Sequence, residues 1–199
     1  MAIIVDKEQK RNDIACACKE LLLEYGIRNI TISQIAQTAN IGKGTVYEYF
    51  ENKEDIVFEI MTVFIAEYEK KLSEIVTEDL GSKKKLFHFL YLSFEDEESR
   101  RQLVLYREFL SVSMTSGTEE MILFNRQCRE KFSDILGKIL QEGIEQGELP
   151  LQIQELKSSI LAFALGLIVE VHTAALDPKE EIGRFLDVLF TLIEKKEAK

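Results

Sequence analysis

A chain of 199 residues has room for one sizeable hydrophobic core or two small ones. With 46% apolar and 30% charged residues but only two prolines and ten glycines, its composition is that of a globular, helix-rich protein and excludes a low-complexity or collagen-like chain. A net charge of −10 excludes a protein that coats nucleic acid with its whole surface, so any DNA contact has to come from a local cluster.

Even the N-terminal stretch is not basic: residues 1–56 carry seven Lys/Arg against nine Asp/Glu. The three cysteines, Cys16, Cys18 and Cys128, form no disulfide framework and fit a reducing cytoplasm. On a helix Cys16 and Cys18 point about 200° apart and cannot share a metal, so no metal site and no cofactor is expected. The apolar run at the N-terminus is too short for a secretion signal. The longest apolar run, Ile160 to Val169, is short of a membrane span, so no membrane contact is expected.

In chain order, Asp6 is placed to cap a helix over 7–25, with Ile14, Cys18, Leu21, Leu22 and Tyr25 on one stripe and Gly26 ending it. Thr31 then caps a helix over 32–38, with Gln34 completing a capping box. Ala39–Asn40–Ile41–Gly42 reads as a tight turn, since Asn tolerates positive φ. A short helix follows over 43–50, and Asn52 caps a long one over 53–76. Beyond Gly81 the helical pattern continues over 83–95, 99–114, 118–146, 152–175 and 179–196, with breaks at turn-forming residues and no strand-like alternation. Lys83–Lys84–Lys85 reads as a solvated helix start. The fold class is all-α: a three-helix helix-turn-helix domain over 1–52, then a helical bundle over 53–199, about nine helices in all.

Two short helices joined by a four-residue turn within a three-helix unit match a helix-turn-helix. At 100° per residue, Val46 and Phe50 make the buried face of the second short helix, with Tyr49 beside them. Gly44 and Glu48 point outward, and Thr45 and Tyr47 flank them. A bare glycine lets the helix approach a surface closely. The hydroxyls suit phosphate oxygens, and Lys53 starts the next helix, where an anion is welcome.

The run ITISQIAQTANIGKGTVYEYFENKEDI strongly resembles the DNA-binding signature of TetR-family regulators through Thr31, Ile35–Ala36, Ala39, Lys43 to Tyr47, Tyr49–Phe50 and Asn52 to Glu54. The resemblance covers about residues 10–58. It implies DNA contacts at Thr31, Lys43, Gly44, Thr45, Tyr47, Tyr49 and Lys53. Three positions depart from the pattern: Asn40 for the usual turn glycine, Gly42 for a hydroxyl cap, and Glu48 for a neutral or basic residue. A groove-facing carboxylate accepts well from cytosine N4, so Glu48 either selects a cytosine in each half-site or pairs with a neighbouring lysine.

The resemblance also implies an inducer pocket between the middle helices, with Phe64, Phe87, Tyr91, Tyr106, Phe109, Phe124 and Cys128 as candidate walls, each of which is also a plain core candidate. The excess of Phe and Leu over buried polar types points to a lipophilic inducer. The segment 159–175 is apolar nearly all round. With the last helix it offers a self-complementary four-helix homodimer interface that includes Ala162, Leu165, Gly166, Val169, Phe185 and Leu189. The expected function is a ligand-responsive repressor that binds a palindromic DNA operator as a dimer. The alternative is a co-regulator of the same fold that acts through protein partners without touching DNA. No GxSxG, HExxH or phosphate loop occurs, so no enzyme is expected.

Overall fold

The computed structural model describes residues 6–197, which leaves the apolar run at the N-terminus outside the described residues. Among them, ten α-helices and one 3₁₀ helix follow one another with no strand, the all-α architecture that the sequence indicated. The helices gather into two compact units. The first runs to Tyr68 and takes in Val104–Val112; the second comprises Glu69–Leu103 and the chain from Ser113 onward. The sequence boundary at 52/53 coincides with the start of the long helix α5 (Lys53–Thr77), whose N-terminal part, to Tyr68, lies in the first unit.

In the first unit Asp6 caps α1 (Lys7–Ala17), accepting from the Glu8 and Gln9 amides at 3.1 and 3.4 Å. The single helix expected over 7–25 instead steps at Cys18 (φ −96°, ψ 4°), whose N–H is shared between the Ile14 and Ala15 carbonyls. That one tightened turn coincides with complete burial of Cys18, and the chain continues as α2 (Lys19–Asn29). Gly26 breaks α2 at φ 75°, ψ 169°, a conformation that glycine adopts without a Cβ penalty. Then come α3 (Ile32–Thr38) and α4 (Lys43–Tyr49). Asn52 accepts from the Asp55 amide at 2.8 Å and so caps α5 as expected. Ile14, Leu22, Ile30, Ile35, Val46, Phe50, Ile56 and Ile60 are buried together; each contributes roughly 1.5–3 kcal/mol by leaving water.

The second unit holds the rest of α5, α6 (Ser82–Glu95), both ends of α7 (Glu97–Ser116), α8 (Glu119–Glu145), α9 (Lys157–Thr173) and α10 (Pro178–Glu197). Residues Leu151–Leu156, expected as the start of one helix over 152–175, form a 3₁₀ helix before α9. The lysine run corrects another reading. Lys83 and Lys84 are exposed, but Lys85 is buried, donating to the Val76 carbonyl at 2.7 Å and to both Glu142 oxygens at 2.8 and 2.7 Å. An ammonium that deep has to be fully partnered, and these acceptors supply that partnership.

Candidate nucleic-acid interface

The reader is built from local capping chemistry. The Thr31 hydroxyl accepts from the Gln34 amide at 3.3 Å and donates to the Gln34 side-chain oxygen at 2.7 Å, and that oxygen also takes the Thr31 N–H at 2.9 Å. At the other end of α3 the Ile41 N–H reaches the Ala36 carbonyl and the Asn40 N–H reaches Gln37, with Asn40 at φ 52°. This is a Schellman turn in which asparagine serves in place of glycine. Gly42 caps α4 without a side-chain bond.

The face of α4 follows the helical wheel. Val46 and Phe50 are buried, Thr45 and Tyr49 are half-buried, and Lys43, Gly44, Tyr47 and Glu48 are exposed. A Cβ built on Gly44 meets nothing within 4 Å. Glu48 has no ion-pair partner among the described residues, so the lysine-paired reading of that residue finds no support here. Thr31 is exposed, with its hydroxyl engaged in the capping box. Lys53 is half-buried, and its ammonium donates to the Arg28 carbonyl at 3.1 Å.

Sequence reasoning missed the residue that ties this face down. The Arg11 guanidinium lies 4.5 Å over the Phe50 ring and donates to the carbonyl of Tyr49, the last residue of α4. It also donates to both Asp55 oxygens at 3.1 and 2.7 Å and to Glu59 at 3.0 Å. A helix-end carbonyl has no partner within its own helix, so Arg11 supplies one while joining α1 to the ends of α4 and α5. The Asp55 carboxyl is held below the usual carboxylate range chiefly by its bond to Arg11, and the Arg11 value is raised in turn by Asp55. In the sequence nothing set Arg11 apart from Lys7 or Lys10.

The seven residues proposed as pocket walls do not fall in one unit. Phe64, Tyr106 and Phe109 lie in the first; Phe87, Tyr91, Phe124 and Cys128 lie in the second. Phe64 is buried with the Lys19 ammonium 5.2 Å from its ring, and Phe109 is buried edge-on to Phe58 at 5.8 Å. In the second unit Phe87 stacks on Tyr91 at 5.4 Å, both half-buried, and burial pushes the Cys128 thiol up to about 11. Two surface hollows of about 480 and 560 Å³ occur, one lined by polar side chains that include Arg11 and Glu59, the other by Val76 and Gly137 together with charged side chains that include Asp134 and Lys157. None of the seven lines either.

A second surface stands out on α9 and α10. Ala162, Leu165, Gly166 and Val169 recur at helical spacing on α9 and are all exposed, Leu165 and Val169 at 40% and 47%. Phe185, Val188, Leu189 and Leu192 repeat the spacing on α10, with Val188 and Leu192 at 56% and 60% and Phe185 and Leu189 half-buried. By length and composition the helical segment Leu151–Thr173 is sufficient to cross a membrane, which a count of consecutive apolar residues did not reveal.

An all-helical chain with two short helices at a tight turn and an outward polar face on the second belongs to the class of helix-turn-helix regulators. Residues 16–60 match the family model for bacterial regulatory proteins of the tetR family. The chain is 25% identical over 186 residues to the HTH-type transcriptional regulator SrpR of Pseudomonas putida, covering 92% of this chain and 83% of that one. It is 27% identical over 143 residues to the fatty acid metabolism regulator protein of Bacillus subtilis, covering 72% of each. Its fold matches that of the Bacillus subtilis transcriptional regulator FadR in complex with stearoyl-CoA, with a TM-score of 0.67 at 22% identity over 89% of this chain and 96% of that one. Residues 16–60 are thus similar to the DNA-binding region of tetR-family regulators, and the relatives matched over most of the chain are themselves transcriptional regulators.

Proposed function

We propose that this chain is a homodimeric repressor that reads a palindromic operator with α4 and is released by a small lipophilic inducer. In this reading residues 1–52 read DNA and 53–199 bind ligand and dimerise. The observation that carries it is Gly44. A glycine in a helix weakens it by up to about 1 kcal/mol relative to alanine. Here no neighbouring atom requires the small residue. A surface that comes within touching distance of the backbone gives it a reason, and a base-pair edge is such a surface.

Around that bare spot Lys43, Thr45, Tyr47 and Tyr49 supply phosphate and sugar contacts, and Glu48, which has no ion-pair partner among the described residues, is free to accept from a base. Thr31 and Lys53 complete the backbone contacts, Lys53 with the ammonium protons that Arg28 does not use. Two copies joined through the α9 and α10 stripes satisfy those apolar faces, and a two-fold axis sets the recognition helices about 34–36 Å apart. The inducer is assigned to the second unit, beside Phe87, Tyr91, Phe124 and Cys128. A lipophilic ligand is in keeping with the fatty acid metabolism regulator among the relatives and with stearoyl-CoA in the FadR structure. A ligand that displaces α5, on which α4 rests through Arg11, changes the spacing; ~1–3 kcal/mol of coupling alters affinity ~5–150-fold.

The test is selection of duplexes from a random-sequence library by the full chain. Enrichment of a palindrome, bound more weakly as salt rises, supports the assignment. The absence of any enriched sequence overturns it in favour of the co-regulator reading. Long-chain fatty acyl-CoAs are then added to the complex, and binding that no member of the series weakens ends the inducer part.

A further inference from the structure

The direction in which the helix-turn-helix leaves the first helices is set by five residues, 26–30. Gly26 turns the chain at φ 75°, Ile27 and Ile30 bury their side chains, and Thr31 immediately caps α3. Two side chains distant in sequence grip this strap. Glu108, on α7, sets one carboxylate oxygen 3.1 Å from the Ile27 amide and the other 3.2 Å from the Arg28 amide. Lys53, at the head of α5, takes the Arg28 carbonyl at 3.1 Å. Gly26 makes room for the carboxylate, because a Cβ there would sit 2.8 Å from a Glu108 oxygen.

Two consecutive backbone N–H groups converging on one carboxylate form an anion-binding nest, with bonds to a charged acceptor that are stronger than neutral ones. All of these groups lie within the first unit, although Glu108 belongs to a helix whose two ends lie in the second. α3 begins at Ile32 and α4 follows through the Asn40 turn, so an angular error in the strap is carried to the recognition face.

We propose that Glu108 is a positioning residue for DNA reading: its carboxylate, opposed by Lys53, clamps the 26–30 strap and thereby fixes the heading of α3 and α4. The proposal rests on the DNA-reading assignment above but adds a residue outside the reader that no contact with DNA would reveal. Electrostatics separates it from the plain alternative. A carboxylate without such a role repels DNA, so neutralising it strengthens binding. Neutralising a clamp weakens binding.

The experiment uses Glu108→Gln and Glu108→Asp in the full chain, with amide hydrogen exchange measured without DNA and affinity measured for the duplex selected by the wild type. Gln keeps the shape but offers one acceptor oxygen for two amides; Asp keeps the charge but falls a methylene short. Both variants are expected to speed exchange at Ile27 and Arg28 at least about tenfold and to lower affinity about tenfold, since bonds to charged groups are each worth ~1.5–3 kcal/mol. The salt dependence stays that of the wild type, because no phosphate contact is lost. Affinity equal to or above wild type in Glu108→Gln overturns the proposal, as does unchanged exchange at the two amides. Wild-type affinity in Glu108→Asp overturns it too, by showing that charge alone suffices. The exchange measurement needs no operator, so a failure of the clamp and a failure of the DNA-reading assignment give different results.

Discussion

Replacing Gly44 by alanine separates folding from reading, because the two respond in opposite directions. The residue is the second of α4, its φ is not in the left-handed region, and an added Cβ touches nothing. Alanine restricts the unfolded chain and favours the helix, worth about 0.5–1 kcal/mol. For a chain of this length, at ~2–4 °C per kcal/mol, the melting temperature rises by about 1–4 °C. On DNA the methyl group occupies the space needed by the base-pair edge. The recognition helix is held off, and losing one direct base contact at ~1–3 kcal/mol lowers affinity about 5- to 150-fold. The assay pairs a thermal melt with equilibrium binding to the selected duplex and to a scrambled one. Binding to the scrambled duplex, which depends on phosphate contacts, changes little. A variant that melts higher and binds the selected duplex as the wild type does would show that the open space over Gly44 has no part in reading.

Glu48→Gln should alter base preference at one position in each half-site, away from cytosine, when the selection is repeated; an identical preference at every position removes Glu48 from readout. Asp55→Asn should cost about 1–2 kcal/mol in urea unfolding at pH 7, because it removes the bidentate carboxylate partner of Arg11 and leaves Glu59 as its one ion-pair partner among the described residues. The Asp55 carboxyl is held below its ordinary value, so its contribution is complete above the unfolded value near ~4 and fades as pH falls through the lower folded value; the gap between variant and wild type should close there, and a gap equal at pH 7 and at ~2.5 contradicts the ion pair. Val169→Glu, on an exposed position, should leave helix content intact but shift the chain from dimer to monomer in sedimentation. The two-fold axis buries the unpaired carboxylate twice, so a dimer unaffected at micromolar concentration would mean that α9 is not the interface.

Boundaries set by side-chain chemistry were legible in the sequence. α3 begins where Thr31 and Gln34 form their box and ends where Asn40 can take positive φ; α5 starts where Asn52 caps it. The buried and outward sides of α4 were legible as well, because a period of 3.6 forces Val46 and Phe50 to one side and Gly44 and Glu48 to the other. What depends on distant partners was not. Lys85 looked solvated beside Lys83 and Lys84 because Glu142 lies 57 positions away, and Arg11 resembled any helix-start cation until Asp55, Glu59 and the Tyr49 carbonyl converged on it. The step at Cys18 has no residue signature at all. The aromatic pocket candidates could not be ranked from the sequence, since a pocket wall and a core filler draw on the same side chains; Phe64, Tyr106 and Phe109 lie in the first unit and the other four in the second.

The glycines show how an external surface can be read from an internal absence. Gly143, in α8, has an evident internal cause: a Cβ there would overlap the Ser82 hydroxyl and Leu149, so the close packing of α8 on the start of α6 requires it. Gly44 and Gly166 sit in helices with no such neighbour, and each carries the same helix penalty. Both lie on exposed faces, Gly44 among Lys43, Tyr47 and Glu48, and Gly166 among Ala162, Leu165 and Val169. The company differs: polar and hydroxyl-bearing in the first case, apolar and small in the second. A helix that carries an unneeded glycine amid hydrogen-bonding groups suits a polar surface at close range, such as a groove of DNA. One that carries it amid small apolar groups suits another helix. If Gly166→Ala loosens the dimer while Gly44→Ala loosens only DNA binding, each glycine answers to the surface that its neighbours indicate; a loss of dimer from Gly44→Ala would break that correspondence.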